Sequence, residues 1–232
     1  MTEDAYPVER FAFELLAPYR FEVEAGGAEV HLVVPELAHG VARNTQIGLK
    51  LPLAARVEET GTETGLAGIH VFGLHNFNTE SRRLPAVSLR SDVSFPVGGM
   101  AGEDVRVALE AIATRSWGRT RAHFNAARGF GSEDALATAE AIPRWSAGLA
   151  FDHTFFRSSL LLVGELATVQ QVTGARATVN ASVGVRWQWT PTLVLDAGVT
   201  RRLRADIGPD IGLTLGLSHG FAVRGLMPRA GR

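Results

Sequence analysis

The chain has 232 residues, 46% of them hydrophobic and 20% charged, with a formal net charge of −1 at pH 7. Basic residues do not outnumber acidic ones, which argues against a nucleic-acid partner. The absence of cysteine excludes disulfides and thiolate metal sites. No apolar run is long enough for a transmembrane helix, and the N-terminal residues lack the basic start and apolar stretch of a signal peptide.

Alternation of bulky residues with small or polar ones predicts β-strands along most of the chain, because successive strand side chains point to opposite faces. In chain order the predicted strands lie near 10–23, 28–36, 45–53, 66–78, 85–97, 105–111, 120–130, 145–152, 158–170, 177–189, 193–202 and 211–221. The last is the clearest, since every odd position from Ile211 to Phe221 is bulky and every even one is Gly, Thr or Ser. The count of about twelve is even, as is usual for single-chain bacterial barrels.

The predicted connections alternate in length along the chain. Tight ones follow Trp117, Phe156 and Thr190, whereas longer and acidic ones are predicted at 56–64, 98–104, 131–144 and 204–210. Short turns on one rim and long loops on the other are typical of outer-membrane barrels. Within 131–144, an N-cap candidate at Ser132, an Ala-rich run and Pro143 predict a short helix on the acidic, outer rim.

These patterns predict an all-β fold: a single antiparallel transmembrane β-barrel of about 12 strands. The expected organisation is one domain over 1–232, with the barrel at about 10–221 and a tail at 222–232. A soluble ligand-binding barrel, with its apolar residues inside, stays open as an alternative. Two features favour the membrane barrel. The chain has a single lysine, Lys50, whereas water-exposed strand faces are usually rich in Lys and Glu. Aromatic residues are gathered at strand ends, as in the girdles of transmembrane barrels.

Several short stretches resemble bacterial outer-membrane proteins grouped under the meta-pathway of phenol degradation. They are EVHLVVPELAHGV from Glu29, QIGLKLPL from Gln46, SFPVGG around Pro96, LLVGEL ending at Leu166, VLDAGV around Asp196 and GPDIGLTLGLSHGF from Gly208. The resemblance covers about 29–221 and implies a transporter of small, aromatic or hydrophobic molecules. It carries no catalytic signature. The chain departs from the family in lacking a signal peptide and in continuing beyond Phe221, the aromatic residue that would normally end it.

If the apolar faces contact lipid, the charged residues of the opposite faces share the lumen. The candidate solute-pathway residues are Lys50, Arg90, Asp92, Arg106, Glu110, Arg121, His123, Asp152, Glu165, Arg186, Asp196 and Arg202. Arg90, Asp92, Arg106 and Glu110 are expected to form one cross-strand cluster, and Arg186 lies one strand from Asp196. Two interpretations stay open: a structural salt-bridge ladder that fills the interior, or a polar constriction that selects a solute.

Other chemistry has little support in the sequence. The histidines do not have the spacing of metal ligands, and Ser218 and His219 point to opposite faces, so a hydrolytic pair is not expected. The sequence therefore predicts a channel or transporter of the bacterial outer membrane that is not an enzyme and has no cofactor. Its expected partners are membrane lipid, a small solute and the barrel-assembly machinery. A non-conducting structural barrel is the other membrane alternative.

Overall fold

A computed structural model of the protein describes residues 2–24, 26–132, 142–155, 159–204 and 208–227. Within these ranges the chain forms twelve antiparallel strands, each paired with its neighbours in chain order. The strands are β1 (Ala12–Leu16 and Tyr19–Glu24), β2 (Glu29–Val33 and Glu36–Ala42), β3 (Thr45–Lys50 and Leu53–Glu58), β4 (Gly61–Leu66 and Ile69–Asn78), β5 (Ala86–Phe95), β6 (Arg106–Trp117), β7 (Thr120–Phe130), β8 (Trp145–Phe155), β9 (Leu160–Gln170), β10 (Thr178–Thr190), β11 (Leu193–Arg204) and β12 (Pro209–Ala222).

The barrel closes because β12 pairs with both segments of β1, from Ala222 opposite Ala12 to Pro209 opposite Glu24. The predicted all-β fold, a closed antiparallel barrel of about twelve strands, is therefore confirmed. Within the described ranges, no helix is long and apolar enough to span a membrane.

The outer face of the wall is apolar, and the inner face is largely polar. Leu89, Val183 and Leu215 are exposed on the outside of the isolated barrel, as predicted from the alternation. The buried polar and charged side chains are Gln46, His70, Asn76, Ser88, Arg90, Arg106, Thr114, His123, Asn125, Asp152, Glu165, Thr178 and Ser218. A water-soluble barrel has the opposite arrangement. This distribution is that of a barrel surrounded by lipid.

The first four strands are interrupted at neighbouring positions, which the sequence analysis did not predict. Pro18, Pro35 and Pro52 break β1, β2 and β3, and Ala67–Gly68 breaks β4. Proline has no backbone N–H to donate to an adjacent strand, so a regular ladder cannot pass through it. Its carbonyl can still accept, and three such bonds bridge the breaks: Val34 N to Pro18 O (3.0 Å), Leu51 N to Pro35 O (3.0 Å) and Ala67 N to Pro52 O (2.8 Å).

Next to these breaks the inner face carries an apolar patch on β2, β3 and β4, contrary to the expectation of a polar interior throughout, whereas Arg20 of β1 is on the same face. Leu32, Val34, Ala54 and Ala67 form one buried cluster with Met100. Met100 belongs to the loop after β5, and its backbone N–H donates to Leu66 O at 3.2 Å. This loop therefore folds against the inside of the wall and covers the apolar patch.

The two ends of the barrel differ. The short-turn rim carries tight turns at 43–44, 118–119 and 191–192, together with the start of β1 and the end of β12, whereas the long-loop rim carries 96–105, the end of β7 and the start of β8. The predicted long loop at 56–64 is wrong: β3 reaches Glu58 and β4 starts at Gly61, so the two strands pair as a polar hairpin in which Arg56 is opposite Glu63. The helix predicted within 131–144 lies outside the described residues. After β12 comes one short turn of 3₁₀ helix, Arg224–Leu226.

Aromatic side chains surround the short-turn rim. Trp117, Trp187 and Trp189 are exposed there, and the last two pack together with ring centroids 4.8 Å apart. Phe13 and Phe221 stack across the closing seam at 5.4 Å. Aromatic residues at this height are typical of the girdles that flank the lipid-facing band of transmembrane barrels.

Candidate functional site: the lumen and its N-terminal segment

The N-terminal segment, residues 2–9, lies inside the barrel against the inner wall. Ala5 is fully buried, with its backbone N–H donating to Thr114 Oγ1 at 3.0 Å and its carbonyl accepting from Asn76 Nδ2 at 3.0 Å. Ser88 Oγ also donates to this carbonyl. The wall therefore satisfies the segment's backbone with side chains, as a peptide-binding groove does.

Contacts at both ends of the segment fix its path across half of the inner circumference. Val8 N donates to Gln46 Oε1 at 2.6 Å on β3, whereas Thr2 Oγ1 donates to Glu165 Oε1 at 2.9 Å on β9. Two glycines of the wall leave room for it. A Cβ atom at Gly40 would lie 2.1 Å from Glu9 O, and one at Gly148 would lie 2.7 Å from Thr2 Oγ1.

The chain turns from the lumen into the wall at Phe11, whose φ of 69° is in the left-handed region that non-glycine residues seldom adopt. Phe11 N donates to Gly40 O at 2.7 Å, and Ala12 N donates to Glu9 O at 2.9 Å. These bonds hold the corner at the short-turn rim. The segment therefore enters the lumen from that rim.

Arg90 is the most buried charge of the site, with 3% of its side chain exposed. Its Nε and Nη2 donate to the two oxygens of Asp92 at 2.9 and 2.8 Å. Its Nη1 donates to both oxygens of Glu3 at 2.8 and 2.9 Å. The guanidinium lies 3.9 Å from the ring centroid of Phe72, a cation–π contact that adds to its fixation.

Arg121 repeats this arrangement nearer the short-turn rim. Its Nε lies 3.1 Å from each oxygen of Asp152, and its Nη2 donates to Asp152 Oδ2 at 2.7 Å. Its Nη1 donates to Asp4 Oδ2 at 2.7 Å. His123 joins the same group, with Nε2 3.0 Å from Asp152 Oδ2 and Nδ1 3.0 Å from Thr114 Oγ1. The segment and the wall thus share one network of charged hydrogen bonds.

The structure places all twelve candidate residues on the barrel strands, but it brings them together differently from the prediction. Arg186 and Asp196 are directly opposite and pair at 2.6 Å, as the one-strand spacing suggested. Further contacts join Lys50 to Glu36 (3.2 Å), Arg202 to Asp210, Glu110 to Asn125 (2.8 Å) and Glu165 to Thr2 (2.9 Å). A role of these residues in solute passage stays a prediction.

The expected four-membered cluster does not form as predicted, because Arg106 is too far along the wall. Arg106 lies opposite Ser94, four positions beyond Arg90, which is roughly 13 Å at strand rise. Arg106 is buried, and none of the described groups accepts a hydrogen bond from its Nε or Nη1. Glu110 faces Arg90 in register but is bonded to Asn125. Only Arg90 and Asp92 of the predicted cluster pair directly.

Beside the segment, a cavity of about 120 Å³ extends toward β9, β10 and β11. Thr2 and Asp4 line one side of it, and Arg186 and Asp196 line the other. A cavity of roughly 150 Å³ accepts a benzene molecule, so this space is small on the scale of solutes. The N-terminal segment therefore narrows the lumen at this level.

Sites for other chemistry are not apparent in the described part of the chain, where no group of three His, Asp or Glu side chains is arranged to hold a metal ion. Ser218 Oγ donates to Glu14 Oε1 at 2.6 Å inside the barrel. His219 contacts Thr192 O and stacks on Phe221 on the outer face. The two residues therefore have different partners and form no dyad.

The sequence analysis missed Glu3 and Asp4, the two carboxylates that bind the lumen arginines. Their partners lie 87 and 117 positions away, which no local pattern can indicate. The available signal was weak: two acidic residues stand before Pro7 at the start of a chain whose predicted lumen is rich in arginine.

No family model and no curated protein matches the sequence. Solved structures do match the fold. The COG4313 outer membrane channel from Pseudomonas putida F1 aligns with a TM-score of 0.68 and 14% identity, over 95% of this chain and 99% of that one. The KdgM porin aligns at 0.59 and 13% identity, over 89% and 99%. CymD, a monoaromatic hydrocarbon channel, aligns at 0.54 and 8% identity, over 93% and 89%. At these identities the likeness is one of fold: a closed barrel of the type found in outer-membrane channels.

Proposed function

We propose that the protein is a single-domain passive channel of the bacterial outer membrane that carries small solutes through the barrel lumen. One observation carries the proposal: a closed barrel presents apolar side chains outward and buries charged side chains on the facing inner wall. That distribution requires lipid outside and polar contents inside. Membrane lipid, a small solute and the barrel-assembly machinery are the partners that this function implies.

The solute class and the family are part of the proposal. Resemblance to the proteins of the meta-pathway of phenol degradation suggests small aromatic or hydrophobic molecules. The fold likeness to a monoaromatic hydrocarbon channel is compatible with that suggestion. In the wall itself, Phe72 under Arg90 and the buried Leu74 and Ile112 provide apolar surface beside the charges.

A non-conducting structural barrel is the second candidate, and the N-terminal segment favours it in the observed conformation. The segment bonds to six strands of the inner wall, β3 to β7 and β9, and it narrows the space that a solute would use. The channel and the structural barrel therefore differ in one property: whether the lumen conducts once the N-terminal segment has moved out of it.

Conductance in planar lipid bilayers tests the proposal. The wild-type chain should show small, infrequent currents, whereas a variant lacking residues 2–8 should show a larger and steady conductance. A variant lacking residues 224–227, which lie after the last strand, is the control and should behave as wild type. Folding of each variant is checked by its tryptophan emission and by its heat-dependent mobility in detergent gels. A folded barrel without residues 2–8 that passes neither ions nor small solutes contradicts the channel.

A further inference from the structure

The two arginines that contact the N-terminal segment are held by the wall in the same way. Asp92 accepts from Nε and Nη2 of Arg90, and Asp152 accepts from Nε and Nη2 of Arg121. In both arginines only Nη1 is directed to the segment. A guanidinium fixed along one edge by a carboxylate presents its remaining donors in a defined direction, which is the geometry used to recognise a second carboxylate.

The Nη1 group of Arg90 needs an anion more than that of Arg121, whose side chain is 33% exposed. Arg90 is almost fully buried, so without Glu3 its Nη1 donors would lose their partner in a place with little access to water. An unpaired charged donor in a buried site is costly, whereas a charge-assisted bond is among the strong ones. The wall aspartate remains bonded in either case. The site is therefore built to accept a carboxylate that comes and goes beside a permanent one.

Arg106 extends the site toward the long-loop rim. It begins β6 at that rim and is 8% exposed, and within the described residues nothing accepts from its Nε or Nη1. Its guanidinium has no wall carboxylate comparable to Asp92 or Asp152. A buried guanidinium with two free donor groups is a binding group for an anion that enters from this mouth.

Glu110 faces Arg90 on β6, but from Arg90 toward the start of β5 the inner wall carries an apolar patch. Leu74, Ala86 and Ile112 form a buried cluster, and Ala5 of the segment completes it. Ala5 stands two positions after Glu3, whose carboxylate is on Arg90. The segment thus places a carboxylate on the arginine and a small apolar group on the neighbouring patch. A free ligand with a carboxylate and a small apolar body has the same two features.

We propose that Arg90 and Arg121 bind carboxylates with a small apolar body, that Arg106 is a separate first binding position nearer the long-loop rim, and that the N-terminal segment is the tethered occupant of Arg90 and Arg121, which such solutes displace. The inference rests on the proposed channel, because the solute must enter the lumen. It adds a solute class that the fold likeness does not supply. Glu3 and Asp4 are then competitors of the solute as well as contacts that hold the segment where it narrows the lumen.

Displacement is measured by thiol labelling, since the chain contains no cysteine of its own. Ala5→Cys places a thiol at a fully buried position of the segment, and Thr2→Cys provides a second probe where the larger side chain at 5 is not accommodated. The protein is reconstituted in phospholipid vesicles and exposed to a membrane-impermeant maleimide. Benzoate should raise the labelling rate. Benzyl alcohol, which has the same ring without the carboxylate, and sodium chloride at equal ionic strength should leave it unchanged.

Variants assign the effect to the site. Glu3→Gln should raise the labelling rate without benzoate by about tenfold, because it removes a charge-assisted bond to a buried arginine. Arg106→Gln should lower the response to benzoate several-fold, because it removes a binding group for the anion. Arg106 has no described contact with the segment, so this effect cannot come from a change in the segment's own bonds. Arg201→Gln is the matched control. It changes an arginine on the outer face of β11, paired with Ile211, and should keep the full response.

Two results overturn the inference: equal labelling with benzoate, benzyl alcohol and salt, or an equal benzoate response in Arg106→Gln and Arg201→Gln. Neither depends on current through the barrel. The bilayer experiment on the variant lacking residues 2–8 tests the channel separately. A barrel that conducts without the segment but shows no benzoate-specific labelling keeps the channel and loses the carboxylate site.

Discussion

Val183 offers a direct test of the lipid-facing surface. Val183 is 63% exposed on the outer face of β10, five positions from Thr178 and seven from Thr190. At a rise of about 3.3 Å per residue and a tilt of roughly 40°, it lies about 13 Å and 18 Å from the two ends of the strand along the barrel axis. The lipid-facing band of such barrels is about 25 Å tall, so Val183 lies near its middle.

Val183→Arg should therefore destabilise the folded barrel in a bilayer by about 2–4 kcal/mol, because the guanidinium has to be placed in hydrocarbon. Leu203→Arg is the matched control. Leu203 is 60% exposed on the same outer face, so the two substitutions remove similar packing, but it lies one position from the end of β11. Near the interface the expected cost is only about 0–1 kcal/mol.

Reversible unfolding in guanidinium chloride from phospholipid vesicles, followed by tryptophan fluorescence, gives both free energies. The decisive quantity is the difference of about 2 kcal/mol or more between the two variants. Surface arginines on a water-exposed wall change stability by only about 0.5 kcal/mol, wherever they stand. Equal costs at 183 and 203 would therefore refute the assignment of this face to lipid.

Two further predictions concern the N-terminal segment and the short-turn rim. Gly40→Ala should expel the segment, because its Cβ would lie 2.1 Å from Glu9 O, and labelling of Ala5→Cys should rise; Gly220→Ala, with no atom within 4 Å of its Cβ, should not change labelling. Glu80 accepts from Ser116 N at 2.9 Å in the turn after β4, and this bond, with Arg115 beside it, holds the pKa of Glu80 below its ordinary value. Because the folded protein favours the carboxylate form of Glu80, this group stabilises the fold at pH values above its ordinary pKa. The contribution is lost as the pH falls through the pKa of Glu80 in the folded protein. The difference in unfolding free energy between wild type and Glu80→Gln should therefore shrink on acidification from neutral pH, and a constant difference would contradict it.

The wall could be predicted from the sequence because its determinants are local. In β12, the alternation from Ile211 to Phe221 gave the strand, its faces and nearly its ends, Pro209 and Ala222. The pair Arg186–Asp196 followed from a tight hairpin that fixes the register of β10 and β11. The breaks at Pro18, Pro35 and Pro52 have a local signal, a spacing of 17 residues, that hydrophobic alternation passes over, since Leu51 and Leu53 continue the pattern through Pro52.

The lumen could be predicted only in part, because its contacts depend on closure. Arg90 and Asp92 are neighbours on one strand face, so their pairing is visible in the sequence. Their partner Glu3 is brought to them by a segment that crosses the interior, and Arg106 is separated from them by the register of β5 and β6. The composition of the inner face was therefore predictable, whereas its pairing was not.

The entry of residues 2–9 from the short-turn rim has a topological consequence. Residues 2–9 are a short stretch before the first strand and span at most about 29 Å when extended. They can therefore enter through the mouth of a barrel whose strands are already paired. None of the pairings of β1 with β2 and β12 contains a residue of the segment. Insertion and withdrawal therefore require the rupture of side-chain contacts and of the corner at Phe11 alone, and the seam that closes the cylinder stays intact throughout.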